Sequence, residues 1–169
     1  VLFENEVLFF VQTTAETDAQ SNTQQAFDLE KIRPELQELQ ERKAFQLDEN
    51  RPVAVGKRKK KGKQTARENI AQLCDVDTFL EYGSLIVAAQ RSRRKLDDLV
   101  KNTPADGIIT GIGGINGQLF DAETAKCMIL CYDYTVLAGT QGMLGHQKTD
   151  RVLEVAHSSK LPVILCAEG

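Results

Sequence analysis

The sequence predicts an α/β fold, and three observations carry that expectation. GIITGI (Gly107–Ile112) and CMILCYDYTVLA (Cys127–Ala138) read as neighbouring β-strands around an INGQ turn. DRVLEVAHSSK (Asp150–Lys160) has the spacing of an amphipathic helix. LPVILCA (Leu161–Ala167) returns as a strand, completing a β–loop–helix–β unit after the hairpin strands.

The elements follow in chain order. VLFENEVLFFV (1–11) alternates like a strand, and QTTAETDAQSNTQQA after it is polar and without periodicity, the composition of a linker over 12–27. Pro34 suits the first turn of a helix, in which Leu36, Leu39, Ala44 and Leu47 would form an apolar stripe. DENRPVAV is expected to break that helix before Pro52. Thr65 and Glu68 stand in capping-box register at the start of TARENIAQLCD, with Ala66, Ile70 and Leu73 at helical spacing. TFLEYGSLIVAA reads as a strand and RKLDDLVKNT as a short helix. GTQGMLGHQK reads as a glycine-rich loop that ends where Asp150 opens the last helix.

Composition narrows the function classes. The 169 residues carry a net charge of −3 with 41% hydrophobic and 27% charged residues, enough for one domain with a core. No apolar run approaches the ~18 residues of a membrane span, and the acidic breaks in the first residues do not suit a signal peptide, so a cytoplasmic location is expected. Cys74, Cys127, Cys131 and Cys166 contain no CxxC pair, so they read as reduced thiols and no metal is expected. KRKKKGK (Lys57–Lys63) and RSRRK (Arg91–Lys95) concentrate positive charge, but 6% aromatic content and a net acidic chain do not suit nucleic acid.

Two places invite a ligand. Arg58, Lys59 and Lys63 precede the capped start at Thr65, where the helix dipole and N–H groups favour an anion such as phosphate. Gly139, Thr140, Gly142, Gly145 and His146 form a candidate substrate-pocket loop, since glycines there would let a ligand approach backbone N–H groups. Gly111, Gly113 and Gly114 run into an Asn-Gly turn rather than a helix, which excludes a dinucleotide fingerprint and points to close packing. No Ser/His/Asp or Cys/His constellation follows from spacing, and His157 is given no role.

Taken together and in order, RPVAVGKRKKKGKQTARENIAQLCD, FLEYGSL, TPADGIITGIGGING, YDYTVLAGTQG, HQKTDR and LPVILCAEG resemble the carboxyltransferase component of biotin-dependent acyl-CoA carboxylases. QRSRRKLDDLVKNTPADG looks more like the fused, single-chain type than the separate propionyl-CoA subunits. The resemblance spans 28–169 and implies the N-terminal portion of a crotonase-like N domain; 1–11 resembles the closing strands of a biotinyl domain. It further implies transfer of a carboxyl group from carboxybiotin to the α-carbon of an acyl-CoA, with Arg58, Lys59 and Lys63 meeting the CoA phosphates. Backbone N–H groups would stabilise the enolate, so no side-chain nucleophile is expected. Biotin would be carried on another domain, and the implied partners are acyl-CoA, a biotin carboxyl carrier domain, a biotin carboxylase domain and further copies of the chain. A biotin-dependent decarboxylase subunit shares these motifs, and a CoA-binding scaffold without chemistry remains a separate reading. The oxyanion glycines of such enzymes come after LPVILCAEG, so this stretch alone is expected to be inactive.

Overall fold

The computed structural model describes residues 32–168, and the expected strand at 1–11 and linker at 12–27 lie outside the described residues. Three helices lead: α1 (Pro34–Ala44), α2 (Pro52–Lys59) and α3 (Ala66–Leu73). Strand β1 (Leu80–Tyr82), helix α4 (Leu96–Asn102) and strands β2 (Ile108–Gly114) and β3 (Lys126–Tyr132) follow. Helix α5 (Met143–Ser158) and strand β4 (Val163–Cys166) complete the order. The four strands form one sheet in the order β1-β2-β3-β4. The β1/β2 and β2/β3 pairs are antiparallel, whereas β3 and β4 run parallel across α5, the connection a parallel pair requires.

Alternation along the strands divides the core between two helices. Ile109, Ile129 and Cys131 face one side of the sheet and pack on Ala66 and Ile70 of α3. Ile108, Met128 and Leu130 face the other and pack on Val152 and Ala156 of α5. Successive side chains of a strand point to opposite faces, so seven residues of β3 serve both layers. Met128, Ile129 and Leu130 are at most 2% exposed, and each such burial stabilises the fold by about 1.5–3 kcal/mol. Gly111 belongs to this packing. A Cβ there would lie 2.7 Å from the Phe79 ring and closer still to the Leu80 carbonyl oxygen, so its hydrogen lets β1 lie against β2.

The α/β architecture and the Thr65–Glu68 capping box are as expected: the Thr65 hydroxyl accepts from Glu68 N–H, and Glu68 accepts from Thr65 N–H. Several boundaries differ. DENRPVAV does not simply break a helix, because Pro52 is the first residue of α2, where its missing N–H is harmless. The stripe on α1 is not a core face, since Leu36 and Leu47 are 39% and 40% exposed and no α1 residue is buried. Only Leu80–Tyr82 of TFLEYGSLIVAA is strand. The glycine-rich stretch is mostly helix: α5 begins at Met143, seven residues ahead of Asp150, with His146 and Lys148 inside it.

Candidate functional site

The basic run is partly helical, and this arranges its charges on different faces. Arg58, in the last turn of α2, and Lys61, in the turn that follows it, both lie over the Tyr134 ring, at 5.2 and 5.7 Å from its centroid. Lys101, from α4, lies 5.7 Å from the Phe45 ring. These residues, with Lys57 and Arg51, line a cavity of about 550 Å³ between α2, α4 and the segment after β3. Arg51 is neutralised by Asp133 at 2.9 Å. Among the described residues, Lys57, Lys61 and Lys101 have no carboxylate within ion-pairing distance. A hollow with aromatic walls and three cations without counter-charges suits an anion that also carries a flat ring.

A second hollow of about 570 Å³ opens at the ends of β3 and β4, with Lys63, Asn69, Cys131, Cys166 and Glu168 in its wall. Arg58 borders both. It is 7% exposed, its Nε donates to the Gln64 carbonyl at 2.8 Å, and its guanidinium pairs with Glu168.

The three expected anion contacts are therefore differently placed. Arg58 is held by Glu168. Lys59 pairs with Glu68, and the Lys59 ammonium, followed by the Thr65 N–H, holds the Glu68 carboxyl below its ordinary range. Lys63 is exposed, with its ammonium 4.0 Å from Glu168. The start of α3 is occupied from within: its capping box uses the Thr65 and Glu68 N–H groups, and the Thr65 hydroxyl donates to Asp48. Sequence reasoning missed Lys57, Lys61 and Lys101. The nearness of Lys57 and Lys61 within one basic run was a usable signal, whereas the approach of Lys101 was not.

The loop residues meet a different partner. Gly142 is the N-cap of α5, and Gly145 N–H donates to Asp106 Oδ2 at 2.6 Å. The Thr140 hydroxyl donates to the Leu137 carbonyl at 2.7 Å. Beside Gly142, Gly145 and His146 only about 10 Å³ of space remains, because the buried Asp106 carboxylate fills it. Asp106 lies in a left-handed run, with φ of 54°, 48° and 78° at Ala105, Asp106 and Gly107. Buried Lys148 supports that run, its Nζ donating to the carbonyls of Ala105 at 2.7 Å and Ile108 at 2.5 Å, and more weakly to Gly83 at 3.4 Å. Burial lowers the Lys148 pKa to about 8, against an upward pull from Glu81 and Asp106.

Residues 57–169 match the family described as Carboxyl transferase domain. The chain belongs to this family, and its fold is part of a crotonase-like domain. It is 31% identical over 151 residues to the biotin-dependent acetyl-/propionyl-coenzyme A carboxylase beta5 subunit of Mycobacterium tuberculosis (strain ATCC 25618 / H37Rv), covering 89% of this chain and 26% of that protein. To the propionyl-CoA carboxylase beta chain of Cereibacter sphaeroides it is 32% identical over 130 residues, covering 76% and 23%. The chain thus spans about a quarter of the length of these curated relatives. Among solved structures, a single-chain, multi-domain long-chain acyl-CoA carboxylase is similar with a TM-score of 0.80 and 53% identity, over 84% of this chain and 15% of that one. Transcarboxylase 12S, with methylmalonyl-coenzyme A bound, is similar with a TM-score of 0.63 and 27% identity, over 85% and 26%. No helix among the described residues is long and apolar enough to cross a membrane.

Proposed function

We propose that this chain is the acyl-CoA-holding part of a carboxyltransferase that moves a carboxyl group from carboxybiotin to the α-carbon of an acyl-CoA. One observation carries the reading: Lys57, Lys61 and Lys101 converge beside Tyr134 and Phe45 on a cavity of about 550 Å³. Ammonium groups recognise the phosphates of CoA, and aromatic side chains stack on adenine. Arg58 forms the wall between this cavity and the second hollow, where Lys63 meets the same ligand further along; Lys59, paired with Glu68 on the same basic run, adds charge nearby. Of the glycine-rich loop, Gly145 serves this site indirectly, its N–H fixing α5 against Asp106.

Biotin supplies the transferable carboxyl group from another domain. The cation-lined cavity does not fit it, because its ureido ring is neutral and carries no phosphate, and no step here runs through it. The same acyl-CoA seat serves transfer in either direction, including decarboxylation. In this reading the protein is cytoplasmic, assembles with copies of itself, and works with biotin carboxyl carrier and biotin carboxylase domains. Titration calorimetry of CoA into the complete protein provides the test. Lys57→Ala, Lys61→Ala and Lys101→Ala are each expected to weaken Kd by roughly 2–30-fold at low salt, the range of one charge-assisted contact. Wild-type affinity in all three variants overturns the assignment.

A further inference from the structure

Cys131 and Cys166 are register partners on the adjacent parallel strands β3 and β4. Both belong to the α3 side of the sheet and open on the second hollow. Neighbouring strands lie about 4.8 Å apart, inside the roughly 4.4–6.8 Å Cα separation that a disulfide spans. Strand β4 is the edge of the sheet among the described residues, so small shifts of its end meet little resistance from a second neighbour. Two residues beyond Cys166, Glu168 pairs with Arg58, the residue that walls the cation-lined cavity.

We propose that Cys131 and Cys166 form a redox-responsive thiol pair, closed to a disulfide by a hydroperoxide, that alters the acyl-CoA seat through Glu168 and Arg58. Cys166, half-buried at the hollow, meets the oxidant first: its sulfur takes one peroxide oxygen to form a sulfenic acid, and the other oxygen leaves as water or alcohol. The Cys131 sulfur then attacks the Cys166 sulfur, an S–S bond forms, and the hydroxyl departs as water with the Cys131 proton. Cys131 takes the second role because it is 1% exposed and so shielded from the oxidant, while its sulfur faces Cys166 across the strand pair. Closing the pair replaces two free side chains, one on β3 and one at the end of β4, with one fixed bridge, and this reorients the strand end that leads to Glu168 and loosens its pairing with Arg58.

The effect on the acyl-CoA seat rests on the function proposed above, and the experiment separates the two. The complete protein is reduced, treated with hydrogen peroxide, and digested without reduction for mass spectrometry, while CoA affinity is measured by calorimetry before and after. A Cys131–Cys166 linked peptide is expected, with CoA Kd weakened at least threefold and restored by dithiothreitol. In Cys166→Ala, and separately in Cys131→Ala, peroxide is expected to leave affinity unchanged. Recovery of both thiols free, linkage through Cys74 or Cys127 instead, or a formed pair with unchanged affinity overturns the proposal. A reduced protein that binds no CoA counts against the proposed function, and the linked peptide still decides the thiol pair.

Discussion

Asp106 Oδ2 accepts the Gly145 N–H at 2.6 Å, so a carboxylate from the turn before β2 fills the N-terminus of α5. The contact spans 39 residues of sequence and does the work of a cap, since Gly142 at the N-cap has no side chain to offer. It also consumes the Gly145 N–H, which is thereby withheld from a ligand.

Asp106→Asn is expected to lower stability by about 1–3 kcal/mol, the cost of weakening a buried charged hydrogen bond. Asparagine tolerates the left-handed backbone at this position, so the change isolates the carboxylate from the turn geometry. Urea unfolding followed by circular dichroism gives the value, and an unchanged midpoint refutes the capping role.

Lys148 makes stability depend on alkaline pH. Its pKa of about 8 in the fold lies below the ordinary 10.5, so between these values the unfolded chain binds more protons than the folded one. Stability from this residue therefore rises as pH climbs from about 8 to 10.5, by up to about 3 kcal/mol, and is level below that window. The measurement is the difference between wild type and Lys148→Met across pH 7–10.5. The methionine variant loses three carbonyl contacts at every pH, so the slope of the difference, not its size, is diagnostic. A flat difference contradicts the buried, easily discharged ammonium.

On the function proposed above, replacing Lys59 and Lys63 together by alanine in the complete protein is expected to raise KM for acyl-CoA more than twofold at low salt. The increase should shrink as salt is added, because both side chains are about half exposed or more. A KM within twofold of wild type assigns these lysines to the solvated surface and leaves the phosphates to Lys57, Lys61 and Lys101.

Strand β4 exposes Val163 and Leu165, at 46% and 56%, on the face that α5 leaves open. Apolar edges of this kind seek a partner, so the 169-residue chain by itself is expected to self-associate. Light scattering should report species larger than a monomer, and Leu165→Lys should reduce them. A monodisperse monomer across a tenfold range of concentration contradicts this.

Local interactions were legible in the residues. The Thr65–Glu68 capping box closes within one helical turn, so two residue types at fixed spacing announce it. The strands β2, β3 and β4 follow from β-branched and apolar runs bounded by turn residues, and the α/β class follows from their order. The glycine clustering reads as close packing, and Gly111 against Phe79 shows that contact. Tertiary structure decided what depends on partners distant in sequence. Helix α5 starts at Met143 because a carboxylate 39 positions away from Gly145 satisfies its first turn, and no local pattern reveals that. Arg58 in the basic run reads as an anion contact, yet Glu168, 110 positions later, supplies its carboxylate partner. The cavity exists only once α4 carries Lys101 to Phe45 and the segment after β3 carries Tyr134 beneath Arg58 and Lys61. Periodicity and caps are set by backbone geometry over a few residues, whereas convergence of like charges is set by packing, on which sequence spacing is silent.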